Sequence, residues 1–118
     1  MDIEPITYYF DLIDRNAIIV KQKKPFFDWV SSVFPDEVPM SKNEENNIYL
    51  IREMANNQKV LNWIKNNFDK IFSNELNDWY MDETKWPQKR TFQMFSEWFD
   101  VEVTSMILDL EESEITKE

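Results

Sequence analysis

The sequence is 118 residues long, which is the length of one domain, and 42% of it is hydrophobic, enough for a buried core. It contains no histidine, cysteine or glycine, which excludes disulfides, histidine- or cysteine-based catalytic sites and glycine-rich phosphate loops. Its net charge of −10 disfavours binding to nucleic acids and to anionic membranes. With no signal peptide and no long apolar run, the protein is expected to be cytoplasmic.

The N-terminal third predicts a β-hairpin followed by a helix. Residues 6–13 are rich in aromatic and branched side chains and indicate a strand, residues 14–16 are typical of a turn, and residues 17–23 indicate a second strand. Pro25 suits the first turn of a helix, and Pro35 ends it.

Residues 41–55 have two interpretations. Ser41 and Glu44 fit a capping box and favour a helix that begins near residue 42. The run Ile48 to Ile51 is β-prone and lies between polar stretches, which favours a buried strand. We predict the strand.

Residues 57–80 predict a long amphipathic helix. One stripe at the helical period contains the apolar residues Val60, Leu61, Ile64, Phe68, Ile71, Phe72, Leu76 and Trp79. Thr91 then caps a short aromatic helix, and the loose alternation of residues 101–110 predicts a final strand.

These elements predict an α+β fold in a single two-layer domain over residues 1–110. Helices would pack on one face of a small three- or four-stranded sheet, in the order β-β-α-β-α-α-β. Residues 111–118 are acidic and are expected to form a frayed tail.

Several stretches form a recognisable aromatic pattern: residues 15–21, 24–29 and 65–72, Trp86-Pro87, Phe95, residues 97–102, and Ser105, Met106, Asp109 and Leu110. In these stretches the chain resembles a group of short bacterial proteins without an assigned activity. Because these motifs are aromatic and structural, the resemblance implies a small stand-alone bacterial cytoplasmic protein and transfers no functional residue.

Two groups of residues are candidates for an interaction surface. The tryptophan-rich connection contains aromatic and basic side chains typical of binding hot spots, namely Lys85, Trp86, Lys89 and Arg90. The alternative is that Trp86 fills the core under its loop. The second group is acidic and lies on ordered elements: Glu97, Asp100, Glu102 and Asp109.

A basic strip and a set of carboxylates are weaker candidates. The strip could hold a carboxylate or phosphate, or form surface ion pairs, and contains Arg15, Lys21, Lys23, Lys24 and Arg52. Glu75, Asp78 and Asp82 could share a helical face and serve acid–base chemistry or a hard cation, although acids on an exposed helix face are ordinary. We assign no catalytic residue, metal or cofactor.

The sequence therefore favours a non-enzymatic, acidic protein-interaction or regulatory module. One alternative is an acidic inhibitor of a basic enzyme such as a nuclease, in the manner of an immunity protein. Another is a carboxylate-based hydrolase. Apolar residues on both faces of the last predicted strand lead us to expect a symmetric homodimer through the open face of the sheet.

Overall fold

Three α-helices pack against one face of an antiparallel sheet in the computed structural model, which describes residues 10–35 and 46–118. The fold is a small α+β domain, as the sequence predicts. Its elements in chain order are β1 (Asp11–Leu12), β2 (Arg15–Gln22), α1 (Lys24–Val33), β3 (Asn47–Arg52), α2 (Asn57–Asn77), a 3₁₀ helix (Glu83–Lys85), α3 (Phe92–Trp98), β4 (Phe99–Thr104) and β5 (Leu108–Asp109).

The main sheet has three antiparallel strands in the order β3-β2-β4. In its register, Ile18 of β2 lies opposite Tyr49 of β3 and Val103 of β4. Since side chains alternate along a strand, these three residues share the face that packs on the helices. A separate two-stranded sheet pairs β1 with β5.

Local signals fix where the helices begin. Pro25 occupies the first turn of α1, where its missing N–H costs no hydrogen bond. The side chain of Asn56 accepts a hydrogen bond from the backbone N–H of Lys59 and caps α2. The Thr91 hydroxyl accepts from the N–H of Met94 in the same way and caps α3.

The core has an aromatic centre where the helices meet the sheet. Phe99, at the start of β4, is buried, and its ring lies 5.4 Å from Phe26 of α1, 5.2 Å from Phe72 of α2 and 5.1 Å from Phe95 of α3, between centroids. Ring pairs at these separations add to the free energy gained by burial. One residue of the sheet thus contacts all three helices.

The predicted hairpin is wrong within the described residues. Arg15 and Asn16, expected in its turn, are the first residues of β2, and β1 pairs with β5 instead of β2. The reason is burial, because Asn16 is enclosed and its Oδ1 accepts a hydrogen bond from the N–H of Met54, which extends the strand. Residues 6–9 of the predicted first strand lie outside the described residues.

The predicted final strand divides into two. β4 ends at Thr104, whose hydroxyl accepts a hydrogen bond from the N–H of Met106 and turns the chain. β5 then pairs with β1 in the separate two-stranded sheet. The residues predicted to form one strand over 101–110 therefore belong to two different sheets and do not alternate across one pair of faces.

The predicted strand and long helix of the central segments are confirmed, since Ile48 to Ile51 lies in β3 and α2 covers most of the predicted long helix. The burial predicted for that strand is wrong, because β3 is an edge strand with Ile48 61% and Leu50 49% exposed. Leu61 is an exception in the apolar stripe of α2, since it is 47% exposed. The proposed capping pair Ser41 and Glu44 lies outside the described residues, and residues 111–118 are all exposed and outside any helix or strand.

Candidate functional site

The open face of the main sheet, opposite the helices, is the most unusual surface in the described residues. We define it by alternation and register as Arg15, Ala17, Ile19 and Lys21 of β2, Ile48, Leu50 and Arg52 of β3, and Asp100, Glu102 and Thr104 of β4. Each of these side chains points away from the core that the other face builds with the helices.

Apolar side chains occupy the middle of this open face. Ile48 is 61% exposed and Leu50 is 49% exposed, and they lie opposite Ile19 and Ala17 of the neighbouring strand. Single exposed apolar residues are common on protein surfaces, but adjacent ones form a patch that water solvates poorly. The sequence places this run in a strand without showing which face is covered.

Charged side chains lie at the two ends of the open face. Arg15 and Arg52 are register partners at one end, and Asp100 and Glu102 lie toward the other end, on the opposite edge strand. Lys21 Nζ lies 2.9 Å from Glu102 Oε1. The open face thus has a basic end, an apolar middle and an acidic corner.

The basic strip is not one surface in the structure. Each of its three lysines forms an ion pair with a carboxylate. Lys21 pairs with Glu102, Lys23 Nζ lies 3.8 Å from Asp100 Oδ1, and Lys24 Nζ lies 2.9 Å from Asp28 Oδ2. Arg15 and Arg52 lie together across the β2–β3 pair. The exposed ion pairs of the three lysines contribute only about 0–1 kcal/mol each to stability.

The tryptophan-rich connection is built around a buried Trp86. Its side chain is only 8% exposed, and its indole N–H donates to the backbone oxygen of Tyr80 at 2.7 Å. The guanidinium of Arg90 lies 5.8 Å from the Trp86 ring centre and pairs with Asp69, Nε to Oδ1 at 2.7 Å. Trp86 therefore belongs to the core, while Lys85 and Lys89 are exposed beside it.

The four candidate acidic residues divide between three elements. Asp100 and Glu102 are neighbours on the open face, at β4. Glu97 lies on α3, where its carboxylate accepts a hydrogen bond from Gln93 Nε2 at 3.3 Å. Asp109 lies on β5, opposite Asp11, and accepts from the N–H of Glu111. The structure therefore brings together two of the four.

The carboxylate of Glu75 is fully buried between α2 and the sheet. Its Oε1 accepts from Gln22 Nε2 at 3.1 Å, and its Oε2 accepts from the Tyr49 hydroxyl at 2.6 Å and from Asn47 Nδ2. A buried carboxylate needs such donors to offset the loss of water. In this conformation no substrate in solvent reaches Glu75, and the group ties α2 to two strands.

The neighbouring acids do not form a site with Glu75. Asp78 accepts from Asn47 Nδ2 at 3.0 Å, and Asp82 caps the 3₁₀ helix, where hydrogen bonds from Thr84 lower the pKa of its carboxyl. In the part of the chain that the structure describes, no three acidic side chains gather where they could hold a metal ion.

Tyr49 has the most perturbed chemistry in this network. Burial raises the pKa of its hydroxyl well above the ordinary value of 10, and the hydrogen bond to Glu75 raises it further. Tyr49 also accepts a hydrogen bond from Asn74 Nδ2 at 2.9 Å. Its proton is therefore fixed between two elements and serves as a structural donor.

The chain matches no protein-family model, no curated protein and no solved structure. The resemblance to short bacterial proteins stays a prediction. Among the helices of the described ranges, none combines the length and apolar character needed to cross a membrane.

Proposed function

We propose that the protein is an interaction module whose contact surface is the open face of the sheet, and that its partner is a second copy of the same chain. The observation that carries the proposal is the exposure of Ile48 and Leu50 on β3, an edge strand, beside Ile19 and Ala17 of the central strand. Covering such a patch removes apolar area from water, which is the main driving force for association.

The charges of the open face favour a second copy. A two-fold contact places the same surface on both subunits, so the surface must complement itself. Rotating one copy against the other brings the Arg15 and Arg52 end of each face over the Asp100 and Glu102 corner of its partner. With three cations and two carboxylates, the open face avoids the self-repulsion expected from a net charge of −10.

The size of the open face sets the expected affinity. Three strands of about six residues cover roughly 20 Å by 15 Å. That area is less than the roughly 800 Å² per partner of a standard stable interface. We therefore expect a reversible dimer with a dissociation constant in the micromolar range or higher, and not an obligate dimer.

Sedimentation equilibrium at about 10–500 µM tests the proposal across the range that a weak interface implies. The apparent mass should rise with concentration from 14.4 kDa, the mass of one chain, toward twice that value. A mass of one chain at every concentration contradicts the proposal.

Two variants with matched exposure locate the contact. Leu50→Thr introduces a β-branched side chain that suits a strand and removes apolar area, so it should hold the protein at the monomer mass. Leu61→Gln changes a leucine of similar exposure on α2, at 47% against 49%, and should leave self-association unchanged. Equal loss of self-association in both variants would move the contact away from the open face.

A further inference from the structure

A groove of about 710 Å³ lies between α2 and the chain that follows β3. Residues of one face of α2 line it at spacings of three and four: Lys59, Asn62, Trp63, Asn66, Asn67 and Lys70. Arg52, Met54 and Ala55 form its other wall. The volume is within the usual range for sites that bind small molecules.

The charge of this groove is opposite to that of the protein. Arg52, Lys59 and Lys70 all line it, and no carboxylate does. Within the described residues, none of these three cations forms an ion pair, whereas Lys21, Lys23, Lys24 and Arg90 each do. In a chain of net charge −10, three unpaired cations at one groove are a local excess that favours an anion.

The remaining lining adds donors and one aromatic ring. Trp63 packs against the core with part of its surface still exposed, so its ring is held in place at the wall of the groove. Its indole N–H has no hydrogen-bond partner among the described residues, unlike those of Trp29 and Trp86. The side chains of Asn62 and Asn66 add amide donors to the same wall.

The spacing of the cations indicates an extended anion. Lys59 and Lys70 are eleven residues apart on α2, which is about 16 Å along the helix axis. A single phosphate or carboxylate cannot meet both ends of that span, and each lysine side chain reaches only part of the way. Trp63 and Asn66 lie between the two lysines, so the ligand needs a part that contacts an aromatic ring as well.

We propose that this groove binds a nucleoside polyphosphate. Its phosphoryl oxygens accept charge-assisted hydrogen bonds from Arg52 and from the lysine on the phosphate side of Trp63, and the second lysine attracts the anion through its charge. Its base contacts Trp63, since aromatic side chains stack on the face of any base. Arg52 is shared with the surface proposed for self-association, so the two contacts can compete for it, whereas Lys59, Trp63 and Lys70 belong to the groove alone.

Isothermal titration calorimetry in buffer without divalent cations tests the groove. The probes are adenosine triphosphate, inorganic tripolyphosphate and a short single-stranded oligonucleotide. We expect saturable binding of the nucleotide, with tripolyphosphate weaker because it lacks a base.

No binding of the nucleotide at about 1 mM, which corresponds to a binding free energy of about −4 kcal/mol, overturns the proposal. Equal binding of tripolyphosphate overturns the role of Trp63, and tighter binding of the oligonucleotide overturns the ligand class.

A pair of double variants with the same charge change distinguishes the groove from general electrostatics. Lys59→Gln with Lys70→Gln should weaken nucleotide binding about tenfold or more, because one charge-assisted contact and one nearby favourable charge are lost. Lys65→Gln with Lys89→Gln changes two exposed lysines that do not line the groove and should alter affinity less than about twofold. Equal losses in the two double variants overturn the site. Thermal unfolding of both confirms that each variant is folded.

Discussion

Glu75 shows how a single residue can organise the contact between a helix and a sheet. Its carboxylate is fully buried, yet it accepts hydrogen bonds from Gln22 of β2 and from Asn47 and Tyr49 of β3. Removing one partner from such a group leaves a buried charge with too few donors, which costs more than an ordinary hydrogen bond contributes. The network therefore fixes how α2 lies across β2 and β3.

The sequence does not reveal this network because its members are far apart along the chain. Glu75 occupies a helix position that also suits an exposed acid, and the three donors are common polar residues. The same applies to Trp86, for which the sequence leaves both a buried and an exposed position open. Its burial becomes evident only when the indole N–H is seen to donate to Tyr80.

Tyr49 makes the network testable through pH. Its pKa is raised in the folded protein, so its contribution to stability is complete below about pH 10 and is lost as the pH rises toward the folded pKa. Tyr49→Phe removes both the hydrogen bond and this titration. Urea unfolding should show Tyr49→Phe less stable than the parent at pH 8, with the gap narrowing above pH 10.

Tyr80→Phe is the matched control for that experiment. Within the described residues the Tyr80 hydroxyl has no hydrogen-bond partner, although its ring packs 5.5 Å from Phe34. The free energy of unfolding of Tyr80→Phe should stay close to that of the parent from pH 8 to pH 11. A constant gap for Tyr49→Phe over the same range would contradict the role assigned to the Tyr49 proton.

At the scale of elements, the sequence predicts segments better than it predicts their partners. The 3.6-residue pattern identifies α2, and the β-prone run identifies β3, because both signals are local. The pairing of β1 with β5 joins residues almost one hundred positions apart, and no local pattern encodes it. The sequence predicts apolar residues on an open face but assigns them to the last strand, whereas the structure exposes Ile48 and Leu50 of β3, because the side on which the helices pack is a tertiary property.

Two aliphatic residues of α2 test which of its faces is buried. The sequence places Leu61 and Ile71 in the same apolar stripe, but Ile71 is 2% exposed and Leu61 is 47% exposed. Ile71→Ala should lower the free energy of unfolding by about 2–5 kcal/mol, because it removes buried atoms and leaves a cavity. Leu61→Ala should cost less than about 1 kcal/mol, since most of the lost area already faces water.

Urea unfolding of both variants beside Lys65→Ala completes that comparison. Lys65 is exposed on the same helix, and its truncation should stay within about 0.5 kcal/mol of the parent. Similar costs for Ile71→Ala and Leu61→Ala would show that the helix packs with a different face toward the sheet.

At the scale of the whole molecule, charge is distributed unevenly around one core. The groove on α2 is basic, the open face is mixed, and the C-terminal end carries a concentration of acids. Association and ligand binding at the first two surfaces depend on local charges, because salt at physiological strength screens charges beyond about 8 Å. An overall charge of −10 therefore does not prevent an anion from binding at a basic groove.

The C-terminal tail is expected to add charge without adding stability. Residues 111–118 are all exposed, and their one large apolar side chain, Ile115, is 63% exposed. Deleting residues 112–118 should leave the melting temperature unchanged at high salt and slightly raised at low salt, because it relieves repulsion among acids.

A full-length variant with Glu112, Glu114 and Glu118 changed to glutamine should reproduce the rise at low salt, since it removes the charges and keeps the chain. Differential scanning calorimetry at both salt concentrations measures these shifts. A marked fall on deletion would show that the tail stabilises the fold by docking on it, and a fall in the glutamine variant as well would assign that docking to the carboxylates.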